Sequence, residues 1–275
     1  QIKNQGEQKF IISLLAAIRR YVEMVCVRRS KKVIVLSEYM RGEIQRAHRI
    51  PAERLSVIPG GVDLQFFIPL PDRAGLKKEL NLPKQKIHLL TVRNLEPRMG
   101  LDRLLDCMGK LKQSKLNVHL TIGGEGQERQ KLTALIRNYG LLDTVRMDGF
   151  IPPHRLPHYY GAADFFVIPT RKLEGFGLVT PESMACGTPV LGTPVGGTQE
   201  ILTNFNPDFL FQNSSSDAMA EGIQRVVKMY FSDCDQYNEL RLRCREYAEK
   251  NYSWQRHIDQ FVSILQKYRI RDVRG

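Results

Sequence analysis

The sequence EGFGLVTPESMACGTPVLGTPVGGTQE, residues 174–200, carries the most information in this chain. It places two carboxylates, Glu174 and Glu182, eight residues apart around a glycine turn. The glycines on either side of Phe176 let the backbone bend sharply and bring its N–H groups close to a ligand. The pattern favours a binding turn. Its plain alternative is a structural turn of an α/β domain.

This turn runs directly into a predicted helix. We expect Thr180 to be the N-cap and Pro181 the first helical residue, with Glu182 in the first turn. A helix N-terminus behind a glycine loop presents N–H donors and the positive end of the helix dipole, which suits a phosphate. Carboxylates beside it suit hydroxyl groups, which donate hydrogen bonds to them. The stretch therefore predicts a nucleotide-sugar site.

The segment EGFGLVTPESMACGTPV resembles the signature of the family-four (group 1) glycosyltransferases, which are retaining enzymes with the GT-B fold. Other matching segments are VIVLSEYM, IPGGVD, GGEG and YSW, at residues 33–40, 58–63, 123–126 and 252–254. In that family the first glutamate contacts donor-sugar hydroxyls and the second holds the ribose. The resemblance implies these roles for Glu174 and Glu182. It also implies donor binding by Gly175, Phe176, Gly177, Leu178 and Val179.

Short apolar runs and helical patterns alternate along the middle of the chain. Strands are predicted at residues 87–92, 117–123, 145–150, 164–170 and 189–193. Helices are predicted between them, at residues 101–112, 127–139, 153–162 and 178–185. This alternation implies an α/β fold with a Rossmann-like, doubly wound parallel sheet that binds ligands at the carboxyl ends of its strands. The resemblance makes this sheet the C-terminal half of a GT-B fold.

The resemblance also divides the chain into three parts. Residues 1–60 match the end of the N-terminal, acceptor-side domain and its linker, as a helix, a strand and a helix. Residues 61–232 match the donor-binding domain, and residues 233–275 match helices that pack back on the N-terminal segment. We therefore expect a donor-binding portion of a longer enzyme, with an exposed apolar face on residues 1–50.

Two arginines follow the first strand of the predicted donor domain, in VRNLEPRMG at residues 92–100. Arg93 and Arg98 are candidate catalytic residues, since guanidinium groups can stabilise a leaving diphosphate. The sequence departs here from the family pattern, because Asn94 and Met99 occupy the usual arginine and lysine positions. Arg98 is favoured as the phosphate ligand. For Arg93 a structural role is equally open, because adjacent strand residues face opposite ways.

Two other strand ends match nucleotide-contacting positions of the family. Gly124, in the GGEG turn, is expected beside the nucleotide. Phe150 and Ile151 match the place where family members hold the base through backbone groups. Backbone recognition leaves no trace in side chains, so the sequence does not identify the base.

No metal ion or other cofactor is expected. His154 and His158 have the i, i+4 spacing of a helical ligand pair, but the sequence suggests no third ligand, so a surface helix is the simpler interpretation. The five cysteines are scattered and include no C-x-x-C pair. They favour a reducing, cytoplasmic compartment without a disulfide framework.

The net charge of +12 lies at the two ends of the chain. Residues 1–54 carry 12 basic and 5 acidic side chains and residues 241–275 carry 9 and 4, whereas residues 55–240 are neutral. The GT-B resemblance brings these ends together. A shared basic surface would suit an anionic acceptor or the inner face of a membrane, and a solvated face is the alternative. Nucleic acid is not expected, since no aromatic–basic interleaving is present.

The predicted activity of the full-length protein is transfer of a hexosyl unit from a nucleotide diphosphate sugar, UDP- or GDP-linked, to a hydroxyl of a sugar or lipid-linked acceptor, with retention. Two alternatives remain open. One is a non-catalytic module that binds nucleotide sugars or anionic membranes. The other is a non-hydrolysing sugar-nucleotide epimerase, against which the Gly-Phe-Gly turn speaks.

Overall fold

The computed structural model describes residues 2–272 of the chain. Its strands are β1 (Val33–Val35), β2 (Leu55–Val57), β3 (Ile87–Val92), β4 (Val118–Gly123), β5 (Val145–Gly149), β6 (Phe165–Ile168) and β7 (Val190–Gly192). Its helices are α1 (Ile2–Arg29), α2 (Glu38–His48), α3 (Arg73–Glu79), α4 (Leu101–Gln113), α5 (Arg129–Asn138), α6 (Leu156–Ala162), α7 (Val179–Ala185), α8 (Gly196–Phe205), α9 (Ser216–Ser232), α10 (Cys234–Tyr252) and α11 (Trp254–Asp272).

The larger sheet contains five parallel strands in the order β5-β4-β3-β6-β7. Strand β3 pairs with β4 on one side and with β6 on the other, so the strand order reverses between β3 and β6. The predicted doubly wound α/β sheet and all five of its strands are confirmed. In such sheets the crevice for a ligand opens outside the carboxyl ends of the strands at this reversal.

The central strands are buried along nearly their whole length. Every residue of β4 and β6 is buried, and so are the first five residues of β3. Parallel strands covered on both faces need continuous apolar runs rather than alternation, and IHLLTV and FFVI are such runs. The core of the five-stranded sheet therefore follows from local composition.

Helix α7 agrees with the predicted helix at residues 178–185, but its N-terminal cap differs from the one the sequence predicts. Its first residue is Val179, and Leu178 at the N-cap position makes no side-chain cap. Gly177 has a φ of 77° and reverses the chain just before the helix, and Thr180 N donates to Gly177 O at 2.8 Å. The prediction of Thr180 as the N-cap and Pro181 as the first helical residue is therefore wrong, because the glycine turn itself starts the helix. Glu182 does lie in the first turn.

The N-terminal part contains a strand that the sequence analysis did not predict. Strand β2 pairs in parallel with β1, with Val33 opposite Leu55 and Val35 opposite Val57. Val35, Ile50 and Leu55 form a small apolar cluster separate from the main core. Three residues of β2 are too few to show a periodic pattern.

The two C-terminal helices pack on different partners. Helix α10 packs against α7, and Tyr237, Leu240 and Cys244 belong to the main core of the five-stranded sheet. Helix α11 instead reaches the N-terminal part, where His257 Nδ1 lies 2.7 Å from Pro59 O. Helix α11 therefore contacts the N-terminal part, whereas α10 packs within the main core.

The basic ends of the chain meet as the resemblance implies. Lys31, Lys32 and Arg54 line one cavity of about 670 Å³ together with Lys267 of α11. Arg54 also donates to the carbonyl of Arg28, at 2.8 Å, near the end of α1. This arginine therefore also stabilises the C-terminus of α1.

Helix α1 exposes an apolar surface. Its exposed large apolar side chains are Phe10, Ile11, Leu14, Leu15, Ile18, Tyr21 and Val22. The expected exposed apolar face on residues 1–50 is confirmed, although none of the helices in residues 2–272 has the length and apolarity that crossing a bilayer requires.

Two histidines are buried side by side in the large sheet. His88 on β3 and His119 on β4 are register partners, with ring centroids 5.9 Å apart. Within the described chain, His88 Nδ1 and both ring nitrogens of His119 have no hydrogen-bond partner. Burial lowers the pKa of both rings to about 4. For His88 the charge of Lys77 adds to this effect, and for His119 the neighbouring His88 does.

This pair should make the fold sensitive to mild acid. Below the ordinary pKa of 6.5 the unfolded chain binds protons at these histidines, whereas the folded chain does so only near pH 4. The free energy of unfolding should therefore fall as the pH is lowered through this window, by roughly 2–3 kcal/mol for each ring. Urea unfolding of the chain and of His119→Phe, from about pH 7 to 4.5, measures this. The variant should lose less stability over this range. Parallel pH profiles would contradict the assignment.

Candidate donor-binding site

A cavity of about 550 Å³ opens at the carboxyl ends of β3 and β6. It lies between the segment that follows β3 and residues 174–179, here named the signature loop. Nine of the twelve predicted site residues line it: Arg93, Gly124, Phe150, Ile151, Glu174, Phe176, Gly177, Leu178 and Val179. The fold therefore brings together residues that are up to 86 positions apart in the sequence.

Glu174 and Arg93 form a buried ion pair in the lining of this cavity. Arg93 Nη2 donates to Glu174 Oε2, and the two side chains are 5% and 9% exposed. The hydroxyl of Thr170 donates to the same oxygen at 2.8 Å. Among the described residues, all hydrogen bonds to this carboxylate use Oε2. Oε1 therefore remains available to accept a hydrogen bond from a ligand.

Arg93 points into the cavity, although the sequence left its direction open. Its Nη2 also lies 2.9 Å from Thr170 Oγ1 and 3.1 Å from Met99 Sδ, and its Nε has no partner in the described chain. Of the described residues that line the cavity, Arg93 alone is positively charged. The positive charge of the site therefore rests on a side chain already paired with Glu174.

Three predicted site residues do not line the cavity. Arg98 donates from Nη1 to Leu173 O at 2.9 Å and lies 3.4 Å from a carboxylate oxygen of Glu96, so it supports the chain just before the signature loop. Gly175 turns its carbonyl to the hydroxyl of Ser37 in the N-terminal part. Arg98, the favoured phosphate ligand, is thus placed beside the cavity, and Arg93 within it.

Glu182 is the third of these residues. It is half-buried on α7, and its Oε2 accepts a hydrogen bond of 3.0 Å from the hydroxyl of Tyr160. Burial raises the pKa of Glu182 above its ordinary range, against the effect of the Tyr160 hydrogen bond. Additional donors to this carboxylate, such as ribose hydroxyls, would favour its charged form.

The signature loop is held from behind by the start of α8. Gly197 N donates to Glu174 O at 2.9 Å. Gly196 has a φ of 59°, and a Cβ there would lie 1.9 Å from Glu174 O, so only glycine permits this approach. The glycine pair in the PVGG segment thus fixes the backbone from which Glu174 projects.

The predicted base-binding end of the cavity is largely apolar. Phe150 is 68% exposed at this end and Ile151 is buried. Pro153 and Leu156 also line it, next to Gly124 after β4. Such a surface offers apolar faces and backbone groups for a planar ring.

Several lining or supporting residues were not predicted. Thr170 carried no recognisable signal, whereas Leu36 lies in the family-like segment 33–40, to which the sequence analysis gave no role in the site. Asn94 and Met99 were noticed only as departures from the family pattern, and both line the cavity.

The described residues contain no group of three His, Cys, Asp or Glu side chains suited to a metal ion. His158, one of the predicted spaced pair, lies 3.2 Å from Glu79. The two acidic residues Asp233 and Asp235 lie at the start of α10 and belong to no such group. Asp233 caps this helix by accepting from Gln236 N at 2.8 Å.

Solved structures share this fold. The sucrose-phosphate synthase of Thermosynechococcus elongatus superimposes with a TM-score of 0.79 at 28% identity, over 92% of this chain and 62% of that one. The Anabaena HepE protein, solved with UDP-glucose, superimposes with a TM-score of 0.77 at 22% identity, over 88% and 65% of the two chains. The architecture is that of the GT-B glycosyltransferases, as predicted.

Sequence comparison points the same way. A D-inositol 3-phosphate glycosyltransferase of Segniliparus rotundus is 33% identical over 175 residues, which are 62% of this chain and 38% of that protein. The chain thus spans well under two thirds of this relative. The family model for glycosyltransferase family 4 matches residues 5–66, and that for glycosyl transferases group 1 matches residues 72–251. The chain belongs to the group 1 glycosyltransferases.

Proposed function

We propose that this chain is the donor-binding portion of a retaining glycosyltransferase. The reaction transfers a hexosyl unit from a nucleotide diphosphate sugar to a hydroxyl of a sugar or lipid-linked acceptor. The observation that carries the proposal is the Arg93–Glu174 pair, which places a cation and a partly unsatisfied carboxylate in one cavity at the strand-order reversal. A leaving diphosphate needs the cation, and sugar hydroxyls suit the carboxylate.

Each side chain has a distinct proposed role. Glu174 Oε1 accepts a hydrogen bond from a sugar hydroxyl while Oε2 stays with Thr170 and Arg93. Arg93 shares its positive charge with the diphosphate. Backbone N–H groups of residues 177–179, which line the cavity, add to the stabilisation of that charge. Glu182 accepts from the ribose hydroxyls.

The relatives support the same chemistry. The Segniliparus protein is described as a glycosyltransferase of D-inositol 3-phosphate, and the HepE structure holds UDP-glucose. A uridine or guanosine diphosphate sugar is the proposed donor, without a metal ion, and the HepE structure supports the uridine form. The basic cavity at Lys31, Lys32, Arg54 and Lys267 supports a peripheral position at the cytoplasmic face of an anionic membrane.

The donor site is tested by calorimetric titration of the chain with UDP, GDP and ADP. One of them should bind at a single site. Glu182→Ala should weaken its binding by roughly 1.5–3 kcal/mol, because hydrogen bonds between a charged carboxylate and the ribose are lost. Glu221→Ala, which removes an exposed glutamate on α9, is the matched control and should bind as the unaltered chain does.

Equal affinity in Glu182→Ala and the control would remove Glu182 from the site. Salt-sensitive binding to anionic vesicles or nucleic acid, without nucleotide binding and unaffected by loss of Glu174 and Glu182, would favour the non-catalytic module instead.

A second test adds a positively charged side chain to the cavity, where Arg93 is the one cation among the described lining residues. Asn94 is exposed in the lining, at the family's arginine position, so Asn94→Arg adds a positive charge without disturbing the core. It should tighten binding of the nucleoside diphosphate about 3- to 10-fold at low salt, through a charge-assisted hydrogen bond. Asn94→Gln is the neutral control. The affinity for the nucleoside alone should stay the same, and an equal gain for the nucleoside would show that the arginine does not contact phosphate.

A further inference from the structure

The carboxylate of Glu200 caps the N-terminus of α2, a helix of the N-terminal part. Glu200, on α8, accepts from Glu38 N at 2.9 Å through Oε2 and from Tyr39 N through Oε1. Both are backbone amides of the first turn of α2, which have no partner within their own helix. One carboxylate on two consecutive amides at the positive end of a helix is a favourable arrangement.

The side-chain cap of α2, Ser37, also bonds to the signature loop. Ser37, which is 2% exposed, accepts from Met40 N at 3.1 Å and donates its hydroxyl proton to Gly175 O. The side chain of Met40 lies close to the same glycine. The start of α2 is therefore bonded both to α8 through Glu200 and to the signature loop through Ser37.

These contacts enclose the signature loop from two sides. At the start of α8, Gly197 N donates to Glu174 O. At the N-cap of α2, the hydroxyl of Ser37 donates to Gly175 O. Glu200 joins the two helices that make these contacts. Among the described residues Glu200 has no salt-bridge partner, so its carboxylate is engaged by the α2 amides rather than by a cation.

We propose that Ser37 and Glu200 are positioning residues of the donor site. They fix the signature loop so that Glu174 stays paired with Arg93 and presents Oε1 to the cavity. This role rests on the proposed donor binding, and it makes the N-terminal part a structural component of a site whose ligand contacts come mainly from the other domain. The two residues together are named the α2 latch.

The test compares the chain with Glu200→Ala, Glu200→Gln and Ser37→Ala. The matched control is Glu246→Ala, at an exposed position of α10. Amide hydrogen exchange is followed in residues 174–179 of the ligand-free proteins. Affinity is measured for whichever of UDP, GDP and ADP binds the unaltered chain. Thermal unfolding is recorded for all variants.

Loss of the latch should speed exchange in the signature loop at least fivefold and weaken nucleotide binding about 5- to 10-fold, with the control unchanged. Glu200→Gln should lie between the two extremes, because it keeps one acceptor oxygen and loses the charge. The double variant Ser37→Ala/Glu200→Ala should be little worse than either single variant, since both act through the same helix start.

Unchanged loop exchange and affinity in Glu200→Ala would overturn the proposal, and so would equally faster exchange throughout the chain, which marks a purely structural role. If no nucleotide binds the unaltered chain, the proposed function fails. In that case the amide exchange of residues 174–179 in the variants, compared with the rest of the chain, alone shows whether Ser37 and Glu200 fix the signature loop.

Discussion

The buried ion pair between Arg93 and Glu174 is the interaction around which the site is organised. Removing two charges from water is costly, and it is offset only when the charges meet and their other hydrogen-bonding atoms are satisfied. Thr170 bonds to both partners and Met99 lies against the guanidinium, whereas Arg93 Nε and Glu174 Oε1 have no hydrogen bond within the described residues, so the compensation is partial. Each charge therefore restricts the orientation of the other. The pair fixes the carboxylate of Glu174 in the lining of the cavity without a ligand.

The pair can form because the segments that follow β3 and β6 are adjacent at the reversal of strand order. Arg93 directly follows β3 and Glu174 lies six residues beyond β6, two strands that are neighbours in the sheet. Behind Glu174, the start of α8 approaches so closely that Gly196 has no room for a Cβ. The topology creates the crevice, and Gly196 allows the backbone of α8 to pack directly against the backbone of Glu174.

Few of the described residues that line the cavity carry charge. Asn94 and Met99 line it at the two positions where the family resemblance leads us to expect arginine and lysine. The positive charge contributed by the described lining residues belongs to Arg93, which is already paired. A diphosphate in the proposed donor site would therefore share this guanidinium with Glu174.

The sequence alone determined the fold class, the five strands and most of the lining residues. Apolar runs in regular alternation with helices specify a parallel sheet, and the resemblance of the segment after a predicted strand to the family signature indicates the lining residues. These are local signals, carried by neighbouring residues. Strand β2 and the N-cap of α7 were not predicted correctly, because a three-residue strand, or one glycine with a φ of 77°, leaves too little pattern in the sequence.

Only the tertiary structure decided which cation enters the cavity and how the two parts of the chain meet. Arg93 and Arg98 are the same residue type in the same loop, so the sequence does not tell them apart. In the structure Arg93 follows β3 and bonds to Glu174, whereas Arg98 bonds to Leu173 O. Likewise, Glu200 is an ordinary helical glutamate until α2 is placed against α8. Side-chain direction and contacts across 81 or 162 positions depend on packing, because no periodicity in the sequence connects residues that far apart.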